Sequence, residues 1–261
     1  QDILHYDLAI VLSDTSVAIE GVAAIRYLVR GGAGPLLLDF DPALTVDSIR
    51  SAEGRLTRAE AAARLLAIPH WGAVGDTLQV TIFYHGRPRD GLVHRPNAHG
   101  VPSVFADNWP NRARHWFPGE DHPSDKATVA FVVDVPRDWR AIANGTLIAV
   151  DTLADGRTRW RWATDSPIPT YTMVIGAGRM AVTPLASTEG IPQSVWTFPQ
   201  DSAYAVEGPF RRAAEMLSAY ATLIGPYPYS KLAHVESSTR FGGMENSSAI
   251  FYAEGSYRDQ S

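Results

Sequence analysis

Apolar residues fall at every second position through several strand-length segments, and this alternation commits most of the chain to half-buried antiparallel sheet. Residues 5–12 put Tyr6, Leu8, Ile10 and Leu12 on one side, and residues 17–29 do the same with Ile19, Ile25, Tyr27 and Val29. Residues 76–85 follow suit with Leu78, Val80, Ile82 and Tyr84. Successive strand side chains point to opposite faces, so each set marks one buried face. Residues 36–40 form a short apolar run before the Asp41-Pro42 break, and further strands are expected over 128–135, 141–150, 157–163 and 171–180. Gly31-Gly32-Ala33-Gly34, Asn144-Gly145 and Asp155-Gly156 supply turns between them. Many short strands with regular turns predict a mainly β saddle or sandwich of antiparallel sheets. Residues 58–66, rich in Ala, Glu, Arg and Leu, favour helix by propensity, but in this context they are expected as strand or irregular chain.

The pattern changes near residue 187. Phe210, Ala213, Ala214, Leu217, Tyr220, Ala221 and Ile224 follow a helical spacing that Gly225-Pro226 ends. A strand is expected around 232–236, a glycine turn at Gly242-Gly243 and another strand over 250–252. The expected division is therefore a β-rich unit, 1–187, and a mixed α+β unit, 188–261. Residues 254–261 are polar and are expected to add no closing element, which leaves the second unit incomplete.

A net charge of −5 argues against nucleic acid, whose phosphates call for a basic face. No apolar stretch approaches the roughly 20 residues of a membrane span. The absence of cysteine excludes disulfides and thiolate metal sites but does not fix a compartment.

The sharpest local feature is Phe241-Gly242-Gly243-Met244-Glu245-Asn246. Two glycines beside a carboxylate let backbone approach a ligand closely while an acid points into the same space. Such an acid suits an ammonium group; a plain glycine turn with a solvated Glu has the same composition. Gly-Gly-Met-Glu-Asn resembles the Gly-x-Met-Glu-Asn exopeptidase signature of the aminopeptidase N family of zinc metallopeptidases (gluzincins). Two other stretches resemble that family in the same order and separation. One is Ala113-Arg114-His115-Trp116-Phe117-Pro118-Gly119-Glu120-Asp121-His122-Pro123-Ser124-Asp125-Lys126-Ala127, and the other is Pro167 to Gly178 with Thr170-Tyr171.

The resemblance implies a β-saddle amino-terminal domain followed by the first elements of a thermolysin-like catalytic domain. It also implies a parent zinc aminopeptidase that removes single residues from peptides with a free amino terminus. Glu245 would bind the substrate α-ammonium. Gly242, Gly243 and Met244 would line the peptide through their backbone, and Asn246 would hold the loop's shape. Trp109 stands where the family has Glu or Gln as a second amine anchor. If that segment is extended, Asp107 shares its face and would supply the anchor; otherwise Asp107 caps a turn and Trp109 walls the first side-chain pocket. Gly119 replaces the family's usual Cys.

The family's zinc site is His-Glu-x-x-His on a helix, with a later Glu as third ligand. None of the eight histidines here, at 5, 70, 85, 94, 99, 115, 122 and 234, forms that motif. Zinc ligands and general base are therefore expected from the remainder of the catalytic domain, and this chain alone is expected to bind no zinc and to be inactive. His94 with His99, and His115 with Asp121 and His122, read as loop residues rather than ligands. No Gly-x-Ser-x-Gly elbow or phosphate loop occurs. Two other readings remain: a non-catalytic scaffold that retains the framework, and a carbohydrate-binding sandwich using Trp160 and Trp162, which also read as cross-strand packing.

Overall fold

A computed structural model describes every residue except 32, 33, 53, 55, 58, 59, 63, 71 and 259–261. The alternating segments form one nine-stranded sheet. Asp2–Val11 lies at its centre, antiparallel to Ile19–Leu28 and parallel to Lys126–Val135. Thr77–Gly86 and Leu44–Ser51 extend one side, while Thr158–Ala163 and Thr146–Thr152 extend the other. A register shift between Ile3 and His5 moves the buried positions from odd to even. Downstream of it, Tyr6, Leu8 and Ile10 are buried, as the alternation predicts. Gly21 faces Tyr84, and a Cβ there would lie 2.2 Å from the ring, so the tyrosine occupies the space the glycine leaves.

Three expectations need correcting. Residues 141–150 are not one strand: Arg140–Ala143 belongs to a four-stranded sheet and Thr146–Thr152 to the edge of the large one. Between them Gly145 has φ +78°, where a Cβ would sit 1.9 Å from the Ala163 carbonyl oxygen, so the chain changes sheets where only glycine fits. Residues 171–180 open as a 3₁₀ turn, Thr170–Thr172, before the fully buried strand Ile175–Gly178. The turn forms because the Thr170 hydroxyl donates to Asp121 (2.9 Å) and Asn108 Nδ2 donates to the carbonyls of Thr170 and Met173. At the far end, Glu254–Arg258 is a short helix, with Glu254 accepting from the Ala98 amide (2.7 Å).

Within 58–66, Glu60–Ala62 and the start of Leu65–Ile68 are strands, as expected against propensity, and Leu65–Ile68 pairs with Leu36–Asp39. Residues 58, 59 and 63, like Gly32 and Ala33 of the glycine turn, lie outside the described residues.

A five-stranded sheet follows, ordered Ala181–Thr188, Ile191–Thr197, Leu232–Ser237, Ala249–Ala253 and Gly243–Met244. Residue 187 lies inside its first hairpin, and sheet membership changes between Gly178 and Ala181. The predicted helix is Ala213–Ile224, ended at Gly225, whose amide returns to the Ala221 carbonyl. A six-residue helix, Ser202–Glu207, precedes it and was not foreseen. The four-stranded sheet packs on the five-stranded one through Phe105, which meets Phe198 and Phe251 edge-on, so one core runs through both parts. Among the described residues no helix is long and apolar enough to cross a membrane.

Candidate functional site

Gly243–Met244 pairs antiparallel with Ala249–Ala253, Gly243 opposite Tyr252 and Met244 opposite Phe251. It is the last strand of its sheet among the described residues, so its outer backbone groups face away from any neighbouring strand. The fold itself does not require glycine at 243: its φ is not positive, and a Cβ there would make only ordinary contact, 3.7 Å from the nearest atom. At Gly242 a Cβ would lie 3.2 Å from the Ser256 hydroxyl.

Glu245 is exposed and has no hydrogen-bond or ion-pair partner among the described residues. Its charge reaches Tyr252, whose phenol is pushed up to about 12, first by burial and then by Glu245. Tyr252 Oη lies 3.1 Å from His234 Nδ1. His234 is held near 4 by burial and stacks on Phe210 at 4.7 Å, so it is neutral at physiological pH. Asn246 is buried; its carbonyl accepts from the Ala249 amide, but neither side-chain amide atom has a partner among the described residues.

Asp107 and Trp109 do not lie on one extended face. The strand Pro102–Ala106 stops before them, Asp107 is buried and Trp109 is 56% exposed. The Asp107 carboxylate meets Arg112 at 2.5 Å; burial raises its pKa, Arg112 opposes that and Asp90 adds to it. Arg112 also reaches Asp90 (3.2 Å) and the Trp109 carbonyl (2.7 Å), and its guanidinium lies 5.7 Å from the centre of the Phe241 ring. Arg112 and Phe241 thus bring the 107–112 loop against the Gly-Gly-Met-Glu-Asn strand, and sequence reasoning singled out neither for this. Asn108 was missed as well. It is fully buried and accepts from Trp116 Nε1 (2.8 Å) while donating to the 170–173 turn. A lone Asn in a short polar stretch gives no sign of this.

The 113–127 stretch is a clasp rather than a ligand site. Arg114 donates to Asp39 (2.7 Å) and Asp121 (3.0 Å), and the Asp121 amide donates to Asp39. His115 pairs with Asp41, and His122 with Ser124. A Cβ at Gly119 would lie 3.0 Å from Tyr6 Oη, so a side chain there requires Tyr6 to give way. His94 sits on the strand Leu92–Pro96, not in a loop, and burial lowers it to about 4; His99 meets Asp201 at 2.6 Å. Trp162 is buried and donates to the Ala141 carbonyl, and it and Trp160 pack edge-on against Trp196.

Residues 4–172 match the Peptidase M1 N-terminal domain family. The chain belongs to this family. Among curated relatives, aminopeptidase B of Mus musculus is 30% identical over 154 residues, 58% of this chain but 22% of that protein. The Rattus norvegicus aminopeptidase B is 29% identical over 153 residues. The M1 zinc metallopeptidase from Deinococcus radiodurans superposes with TM-score 0.85 at 20% identity, over 99% of this chain and 61% of that one. A mutant of that enzyme bound to a Tyr-Ser-Ala substrate gives TM-score 0.86 at 21% identity. At that identity the likeness concerns the fold, which is the mainly β M1 architecture. The chain spans about a fifth of the length of the curated relatives it matches. Among the described residues no three His, Asp or Glu come together to hold a metal.

Proposed function

We propose that this M1 chain is the amino-terminal part of a zinc aminopeptidase that removes single residues from peptide amino termini. In this reading the sheets up to Gly178 form the β-saddle unit and the five-stranded sheet from Ala181 opens the peptidase unit, so the division falls before residue 187, with the zinc ligands and general base supplied by the rest of that unit. Glu245 takes the substrate α-ammonium. The free edge of 242–244 pairs with the peptide backbone as an added strand would. What carries the reading is Glu245 itself: an exposed carboxylate, unpartnered among the described residues, directly after an edge strand whose glycine at 243 the fold does not need.

Asp107 already has Arg112 as its counter-ion, so in this reading it steadies the loop that backs Phe241, and Trp109 walls the first side-chain pocket. Asn246 closes the turn through its backbone.

The separation of recognition from chemistry has its own test. Purified as the 28.4 kDa chain, the protein is expected to carry no zinc and to leave an aminoacyl p-nitroanilide uncleaved, while the whole protein cleaves it. Stoichiometric zinc with turnover in the 28.4 kDa species would show that the chain has its own metal site and would end this account.

A further inference from the structure

Lys231 is buried, and no carboxylate pairs with it among the described residues. What faces the ammonium is the Ala143 carbonyl oxygen (2.7 Å), the Ser248 hydroxyl (3.3 Å) and the Trp162 ring, 4.8 Å from Nζ to centroid. These three come from different places: the four-stranded sheet, the turn that closes the Gly-Gly-Met-Glu-Asn hairpin, and the large sheet. A buried cation without a counter-ion is costly. A side chain retained at such a cost calls for a role beyond packing.

The turn it touches is unusually constrained. Ser248 has φ +65°, a left-handed conformation that a serine holds only where its surroundings over-determine it. Those surroundings are explicit. Asn144 Nδ2 donates to the Ser247 carbonyl (2.6 Å) and to the Thr172 carbonyl (2.8 Å), while Asn144 Oδ1 accepts from the Val174 amide. The Gly145 amide donates to the Ser248 hydroxyl (2.8 Å), and the Ala233 amide to the Ser248 carbonyl. Ser248 is three residues from Glu245 and heads the strand that pairs with Gly243–Met244. Whatever fixes this turn therefore fixes where the Glu245 carboxylate stands.

We propose that Lys231, with Asn144, is a positioning residue for substrate recognition: it ties the turn at 247–248 to the β-rich unit and so holds Glu245 in register with the substrate's amine. The inference rests on the aminopeptidase reading above. The β-rich unit is then part of the recognition apparatus through Lys231, and not only a platform beside it.

The cost of the lysine is measurable. Burial pulls its ammonium from the ordinary 10.5 down to about 7. Between those values the unfolded chain binds more protons than the native one, so this group makes stability rise with pH across the window, and its penalty is fully present below 7. Lys231→Met removes the charge and is expected to flatten that slope.

The deciding experiment is a double-mutant cycle in the whole enzyme, with hydrolysis of an aminoacyl p-nitroanilide as the readout. Lys231→Met and Ser248→Ala are each made alone and with Glu245→Ala; Ser248→Ala removes, with little change in volume, the hydroxyl that accepts from both Lys231 and the Gly145 amide. Each single change is expected to lower kcat/KM by about tenfold or more, the scale of a lost charge-assisted hydrogen bond, and to cost almost nothing further once Glu245 is gone. Lys231→Arg, which keeps cation and donors, is expected to recover most of the loss. Losses that multiply with that of Glu245→Ala, or wild-type activity in both single variants, overturn the positioning role and leave the aminopeptidase reading standing. Wild-type activity in Glu245→Ala alone overturns both.

Discussion

Glu245→Ala in the whole enzyme is expected to lower kcat/KM toward aminoacyl substrates by a factor of about thirty to several thousand. The figure converts about 2–5 kcal/mol, the usual cost of removing one partner from a hydrogen-bonded charge pair that excludes water, at about 1.4 kcal/mol per factor of ten. The carboxylate meets those conditions only with substrate in place. In the free chain it is exposed and unpaired among the described residues, so its removal leaves no buried partner behind there. The protein's own stability should therefore change little, and the loss should fall on substrate and transition state. Steady-state kinetics together with thermal melting separate the two: activity falls while the melting temperature stays within a few degrees.

Arg114→Ala should do the opposite and damage the fold. Arg114 holds Asp121, whose side chain is 2% exposed, and Asp39 at 19%. Its loss leaves both carboxylates without a counter-ion among the described residues, at an expected cost of about 3–5 kcal/mol. The Asp121 amide already donates to Asp39 and Thr170 to Asp121, so the damage should spread to the 170–173 turn that these bonds hold. Arg114→Lys keeps one charge but not the fork that reaches two acids, and should recover only part of the loss. Guanidinium denaturation of the chain reads this directly; an unchanged midpoint in Arg114→Ala would mean the clasp bears no part of the stability.

These two residues also mark what was legible in the sequence. Alternation exposed the large sheet because its strands bury one face, as in Thr77–Gly86. No period survives in Ile175–Gly178 or Leu232–Ser237, where every residue is buried; strands were expected there, over 171–180 and around 232–236, but alternation did not set their bounds. The six-residue helix Ser202–Glu207 is too short to show a helical period. Gly-Gly-Met-Glu-Asn was readable as a motif because its residues are consecutive. The groups that place it were not, because they act over long separations. Lys231 reaches a carbonyl 88 residues away, and Asn144 reaches Ser247 across 103. Neither has a local signature, since a lysine before a strand and an Asn-Gly turn are ordinary on any surface. The surroundings of Asp107 were hidden for a related reason: its partner Arg112 lies in a turn whose course follows from the buried Asn108, not from strand alternation.

The central claim is that Glu245 reads the α-ammonium of the substrate, and it is tested most directly by amine selectivity. The ratio of kcat/KM for an aminoacyl substrate to that for its Nα-acetylated counterpart should be measured in the wild-type enzyme and in Glu245→Ala. The account predicts a large ratio in the wild type that collapses toward unity in the variant, because only the free amine loses a partner. A ratio that survives Glu245→Ala unchanged would contradict it, and the amine would have to be read by another group.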